Sequence, residues 1–248
     1  MVNWRCFVTS GFLTTIFLSG CGNWAKSPGQ NSKQVIEEIN VAQLMTKANE
    51  TQKAEDYFNK GNHLSNLHRY DEAIAAYDKV ISIKSKSAEA WINKGNALTA
   101  LQHYDDAVKS YDEAISIKAD KHEAWFNKGN VLIKMQRYEE ALASYEKAIA
   151  IKADKHEAWI NRGITLTKLQ RYQEALASYD QAIAIQPNKH EAYYNKACTY
   201  AIQNKTELAV KNLKKAINLF PGKYRQLAKT DSDFEKIRSN KQFQELIQ

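Results

Sequence analysis

Asn93-Lys94-Gly95-Asn96 is the stretch that decides how this chain folds. The same words stand at Asn59-Lys60-Gly61-Asn62 and Asn127-Lys128-Gly129-Asn130, and recur as Asn161-Arg162-Gly163-Ile164. The interval is 34 residues each time. Trp91, Trp125 and Trp159 keep it, with Tyr57 and Tyr193 in the corresponding end positions. A strict period in this range marks a stack of one supersecondary unit, not a single globular fold. Stacked units touch only their neighbours and present an extended surface, which suits binding another polypeptide better than transforming a substrate.

The chain has 248 residues, 44% of them hydrophobic and 25% charged. That composition fits a folded body and excludes wholesale disorder. Three prolines, Pro28, Pro187 and Pro221, leave the interior of the periodic segments unbroken, as long helices require. Net charge is +7, and from Lys205 onward ten Lys/Arg stand against five Asp/Glu. Two readings of that excess stand side by side: a patch for an acidic partner or anionic lipid, and a solvated helical surface. No nucleic-acid-binding motif accompanies it, so no nucleic-acid partner is expected.

Residues 1–20 read as an export signal. Arg5 and the amino terminus supply weak positive charge, and Phe7, Val8, Phe12, Leu13, Ile16, Phe17 and Leu18 a short apolar stretch. Leu18-Ser19-Gly20-Cys21 then resembles the bacterial lipobox. That resemblance implies cleavage before Cys21 and acylation of the new terminus. Each buried acyl methylene contributes about 0.8 kcal/mol, so two or three chains hold a protein at a membrane. The expected location is therefore a bacterial cell membrane or outer membrane, with the body facing the periplasm or exterior. Residues 21–53 are expected to be a lipid-anchored linker. Its start, 22–34, is rich in Gly, Asn, Ser, Lys and Gln, and Val35, Ile36, Ile39, Val41, Leu44 and Met45 suggest a preliminary helix. Cys6, Cys21 and Cys198 show no disulfide or metal-ligand spacing.

The periodic body resembles the tetratricopeptide repeat, a helix–turn–helix unit. Five repeats are placed at 54–87, 88–121, 122–155, 156–189 and 190–223, with a capping segment at 224–248. The resemblance implies an all-α, right-handed solenoid of about five repeats with a C-terminal helical cap. Small residues, the glycines above with Ala197, and Ala73, Ala107, Ala141, Ala175 and Ala209, are expected to let the two helices of a repeat approach. Tyr77, Tyr111, Tyr145, Tyr179 and Leu213 are the large plugs between them, and the tryptophans are assigned to the core. Phe234, Ile237, Phe243, Leu246 and Ile247 can cover the exposed end of repeat five, and Ser232-Asp233 reads as a helix cap.

In this family the opposite face of the first helix lines an inner groove. Here it carries Glu55, Glu89, Glu123, Glu157 and Glu191, and an asparagine column of Asn59, Asn93, Asn127, Asn161 and Asn195. A second column holds Asn62, Asn96 and Asn130. Phe58, Ile92, Phe126, Ile160 and Tyr194 lie beside them, and Ile164 and Cys198 replace Asn later. A carboxamide donates and accepts together, so it can pair with any peptide backbone. The other reading is simple copying, since Ile117–Trp125 and Ile151–Trp159 are identical stretches. The glutamates suggest an acidic rim that repels a carboxylate ligand. His122, His156 and His190 recur one repeat apart, too far for a shared zinc, and read as copied surface residues.

The function that follows is a membrane-anchored scaffold binding a peptide segment of another protein. An assembly factor for outer-membrane proteins or pili is a second class, resting on fold analogy alone. No phosphate loop, nucleophile–base arrangement or metal cluster is legible, so no catalytic residue, cofactor or metal is expected.

Overall fold

The computed structural model describes the backbone of residues 28–248 and the side chains of residues 35–248. The expected signal segment, Cys6 and the expected lipidation site Cys21 lie outside these residues. Two units divide the chain, at Ala48 and Asn49. The described part of the first is helical and belongs to α1 (Pro28–Asn66). Helix therefore begins at Pro28, inside the stretch expected to be a flexible tether. Proline is preorganised for the first helical position, and no glycine or proline lies between Gln30 and Lys60 to break the helix. Among the described residues no helix is long and apolar enough to cross a membrane.

The second unit is all α. After the end of α1 come α2 (Tyr70–Ile83), α3 (Ala88–Ala100), α4 (Tyr104–Ile117), α5 (His122–Lys134) and α6 (Tyr138–Ile151). Then follow α7 (His156–Lys168), α8 (Tyr172–Ile185), α9 (His190–Ile202) and α10 (Thr206–Leu219). Paired in order these make five helical hairpins of a solenoid. Helices α11 (Pro221–Thr230) and α12 (Lys241–Ile247), with a 3-10 turn at Ser232–Ile237 between them, form the C-terminal cap.

Each hairpin closes on a small–large contact. An added Cβ on Gly95 would stand 2.7 Å from Tyr111 Cε1, and Gly61, Gly129 and Gly163 meet Tyr77, Tyr145 and Tyr179 in the same way. The four tyrosines are buried. Burial pushes the Tyr111 hydroxyl up to about 12, against a bond from Thr99 that pulls it down. Each first helix stops in a left-handed residue: His68, Gln102, Gln136, Gln170 and Asn204 have φ of 58 to 62°. In the second hairpin His103 N–H bonds to Leu98 C=O and Gln102 N–H to Thr99 C=O, the Schellman arrangement.

The tryptophans are half-buried, not core. Their indole N–H groups donate to the backbone of the preceding turn: Trp91 to Ser85 (3.4 Å), Trp125 to Ala119 (3.0 Å) and Trp159 to Ala153 (2.8 Å). Lys94, Lys128 and Arg162 lie over the rings. A ring with a polar edge settles where one side packs and the other stays wet.

Successive first helices α3, α5, α7 and α9 touch one another more than successive second helices do. The first helices therefore line the inner side of the stack. At its end Phe234, Ile237 and Phe243 are buried with α9 and α10, and Leu246 and Ile247 pack beside them, as the sequence implies. The turn is capped by Asp231, whose side chain accepts from Asp233 N–H at 3.0 Å, not by Ser232 or Asp233.

Candidate peptide groove

Two asparagine columns run along the inner face, and the structure bolts them to each other. Asn93 Nδ2 donates to Asn62 Oδ1 at 2.9 Å, and Tyr77 hydroxyl donates to the same oxygen at 2.9 Å. Asn127 and Tyr111 converge on Asn96 Oδ1 (2.9 and 2.8 Å), and Asn161 and Tyr145 on Asn130 Oδ1 (2.8 and 2.7 Å). Every bolt links two repeats. Both lone pairs of the shared oxygen are used, which fixes the amide orientation. What remains on the groove side is the Nδ2 of Asn62, Asn96 and Asn130 and the Oδ1 of Asn93, Asn127 and Asn161. Each of the three junctions thus keeps amide N–H groups and one carboxamide oxygen outside the bolt, the two kinds of group with which an extended backbone pairs.

The bolts stop in repeat four. Ile164 stands where the next shared oxygen would be, and Asn195 instead donates to its own helix at Glu191 C=O, 2.8 Å away. Thr167 and Thr199, 2.9 Å apart, join the fourth and fifth hairpins in their place.

The apolar position alternates in exposure. Ile92 and Ile160 are buried, while Phe58 and Phe126 are partly open. Phe126 packs against Tyr145 and is covered by the Lys155 ammonium 4.5 Å above its ring. Ser87 occupies the equivalent of Lys155 in repeat one, so the same cover is missing over Phe58. There the groove opens into a cleft of about 390 Å³ lined by Ala54, Glu55, Phe58, Asn59, Val80, Lys84, Ser87 and Glu89. A second cleft of about 410 Å³ adjoins Asn62, Asn66, Tyr77, Asn93 and Asn96. An apolar socket beside a polar wall is the common anatomy of a peptide site.

The fifth repeat is removed from the groove. Tyr194 is buried, stacked on Tyr224 with centroids 4.7 Å apart and edge-on to Phe234. Its hydroxyl donates to Asp231 Oδ2 at 2.6 Å. Cys198 lies under the same turn, 3.9 Å from that oxygen. The C-terminal turn thus packs on α9, and Tyr194 belongs to that closure. Sequence reasoning found the apolar residues of the cap but not where they land.

Cys198, Asp231 and Asp233 form a compact cluster. Burial first, then the two carboxylates, pushes the Cys198 thiol well above its ordinary range, so it stays protonated. Burial and the neighbouring Asp231 also raise the Asp233 carboxyl. A buried, protonated thiol is a poor nucleophile. The described residues are an all-helical solenoid, an architecture suited to an interaction scaffold.

Four of the five rim glutamates have a lysine within 4.0 Å, and among the described residues Glu123 has only His122. Lys121 Nζ lies 2.6 Å from Glu89, and Lys84 lies 3.8 Å from Glu55. The Lys121 bond holds the Glu89 carboxyl below its usual range. Glu157 and Glu191 meet Lys155 and Lys189 at 4.0 and 3.5 Å. The histidines are more covered than surface copies would be, with side-chain exposures of 16, 19 and 25%. Each faces the glutamate next in sequence, and His190 also meets the Tyr224 hydroxyl at 2.6 Å.

Family models described as tetratricopeptide repeat match residues 40–87, 120–188 and 154–221, and one described as TPR repeat matches 95–136. No curated protein matches the chain. Among solved structures, YrrB, titled a TPR protein with an unusual peptide-binding site, is 26% identical with a TM-score of 0.62. The match covers 73% of this chain and 93% of that one. MamA is 22% identical over 73% of this chain and 97% of its own, with a TM-score of 0.64. MamA of Desulfovibrio magneticus RS-1 is 19% identical over 69% and 97%, with a TM-score of 0.65. The two MamA likenesses bear on the fold alone.

Proposed function

Because the chain belongs to the tetratricopeptide repeat family, we propose that it is a protein-binding scaffold whose groove holds an extended peptide segment at repeats one to four. The observation that carries this reading is the open cleft over Phe58, next to the free amide edges of Asn62 and Asn93. A bound segment places one apolar side chain against Phe58, and its backbone pairs with the asparagines. The similar YrrB structure, which has a peptide-binding site, lends support. In this reading a lipid on Cys21 tethers the chain to a membrane of the bacterial envelope, with the groove outside the cytoplasm. The Leu18-Ser19-Gly20-Cys21 motif supports the tether.

The bolted asparagines make a poor test, because replacing them also loosens the stack. Ser87→Lys is the better variant, since Lys121 and Lys155 begin the equivalent helices without a side-chain cap. Peptides selected on the wild-type protein from a random library are expected to bind Ser87→Lys at least tenfold more weakly, while stability falls by no more than about 1 kcal/mol from loss of the long Ala90 N–H to Ser87 Oγ cap bond (3.4 Å). Equal binding by Ser87→Lys and Phe58→Ala would refute the site. Fractionation of cells carrying Cys21→Ser tests the tether: the protein is expected to leave the membrane fraction, and its retention there would refute the lipid.

A further inference from the structure

The outer face of the stack carries a repeating ion pair. Asp78 meets Lys94 at 2.7 Å, Asp112 meets Lys128 at 2.6 Å, Glu146 meets Arg162 at 3.0 Å, and Asp180 meets Lys196. Each pair joins the second helix of one repeat to the first helix of the next. The equivalent of these four acids on α10 is Lys214. No following repeat brings a cation to that point, and the charge there is reversed.

Helix α10 carries the reversal further. Lys211, Lys214, Lys215 and Asn218 project on one side at about 100° per residue, with Leu208 at the edge of the same stripe. The three lysines are exposed, and none is in an ion pair among the described residues. Lys215 only overhangs the Tyr193 ring, at 5.9 Å. Together with Tyr193 they border a shallow cleft of about 340 Å³. Between Lys205 and Thr230 the only acidic residue is Glu207. Leu208 is 42% exposed, and Phe220 and Leu227, 48 and 39% exposed, follow on the way into and along α11.

We infer that the α10 face is a docking surface for an anionic phospholipid bilayer. Charge complementarity gives the sign of the partner. An exposed Leu208 at the edge of the lysine stripe favours a lipid surface over an acidic polypeptide or nucleic acid. Lysine stems can lie along the acyl boundary with their ammonium groups among phosphates, while Leu208 enters the interface. The contact is local, because such attraction fades within a Debye length of about 8 Å at physiological salt. It uses the outer helices, so the inner groove stays free while the face is docked. The inference stands apart from the Cys21 tether, since it needs no acyl chain.

The test is co-sedimentation of the full chain carrying Cys21→Ser with vesicles of pure phosphatidylcholine or an equimolar mixture with phosphatidylglycerol. Wild-type residues on α10 are compared with Lys211→Gln/Lys214→Gln/Lys215→Gln. A control of equal charge is Lys60→Gln/Lys79→Gln/Lys147→Gln, all at exposed positions. The apolar N-terminus is common to all three proteins and cancels. Each lysine near an anionic surface strengthens partitioning roughly fivefold, so the α10 triple variant should lose on the order of 100-fold. The loss should appear only on anionic vesicles, shrink as salt rises, and be absent from the control. Equal partitioning by the two triple variants would overturn the inference. So would salt-dependent binding to polyglutamate or duplex DNA without binding to anionic vesicles.

Discussion

Gly129→Ala is the most direct probe of the packing, because intuition about helices predicts its sign wrongly. In a free helix the change stabilises by about 1 kcal/mol. Here the new Cβ would stand 2.7 Å from Tyr145 Cε1, 2.9 Å from Cζ and 3.0 Å from Cδ1. Carbon atoms rest about 3.5–4.0 Å apart, so the ring must retreat by about 0.8–1.3 Å. It is buried and its hydroxyl is held at 2.7 Å by Asn130, which also receives Asn161. Overpacking costs about 1–3 kcal/mol, and loss of the hydroxyl bond about 1. Set against the helix gain, the net expectation is a destabilisation of about 1–3 kcal/mol. The fifth repeat supplies the compensating change: Ala197 stands at the glycine position and Leu213 at the tyrosine position, both fully buried. Tyr145→Leu alone leaves space and an underused Asn130 oxygen. Combined with Gly129→Ala it should be less harmful than the two single costs added, by at least about 1 kcal/mol. Urea unfolding followed by far-UV circular dichroism gives the cycle. A raised midpoint for Gly129→Ala, or costs that add to within about 0.5 kcal/mol, would refute the reasoning.

Gln136→Gly should raise stability by up to about 1 kcal/mol, because a left-handed φ of 59° strains a residue with a Cβ; an unchanged or lowered urea midpoint would count against it. Trp125→Ala should cost about 2–3 kcal/mol, near or below the lower end for a buried aromatic, since one ring face is wet and the N–H bond to Ala119 is the polar anchor; the thermal midpoint reads it. Asp233 has a folded pKa raised by burial, so the native state binds its proton more tightly than the unfolded chain. Stability from this group is full below its ordinary pKa of 3.8 and declines as pH rises through the raised value. Asp233→Asn should therefore stabilise the cap at neutral pH, with the advantage over wild type vanishing in acid. Hydrogen exchange of α12 across that range checks it, and a pH-independent difference would be the adverse result.

The hairpins were legible because their cause is local and copied. Gly and Tyr, 16 residues apart, face each other in every early repeat, and periodicity exposes such a pair. Other features leave no such trace. The asparagine bolts join residues 31 apart in different hairpins, so a wheel drawn for one helix shows two polar columns and not their bond. The turns take Gln or His in the left-handed conformation, where glycine would have signalled it. The tryptophans looked like core because large apolar residues at helical spacing usually are; the indole N–H found a turn carbonyl at the edge instead. Lys155 covers Phe126 from the start of the next hairpin, so the exposure of Phe58 hinges on Ser87, a residue outside its own helix.

The choice between copied decoration and working column can be argued from where the pattern fails. Were the asparagines idle copies, the two columns would decay independently. The first column keeps Asn195, but its bond ends where the second column ends. Ile164 removes a shared oxygen, and Asn195, the donor that would have reached it, turns back to Glu191 of its own helix. At the same junction Thr167 and Thr199 take over the link, so a polar tie between hairpins is kept while its chemistry changes. Copying alone does not couple a loss on one helix to a rearrangement on the next and a substitute bond beside it. A half-buried carboxamide that has lost its partner does, because its N–H groups seek another acceptor, here the Glu191 carbonyl. The columns are thus held in place by stacking, and the amide edges that stacking leaves unused are what a passing backbone can reach. That division ends at repeat four, where the bolts end; beyond it the C-terminal turn packs on α9.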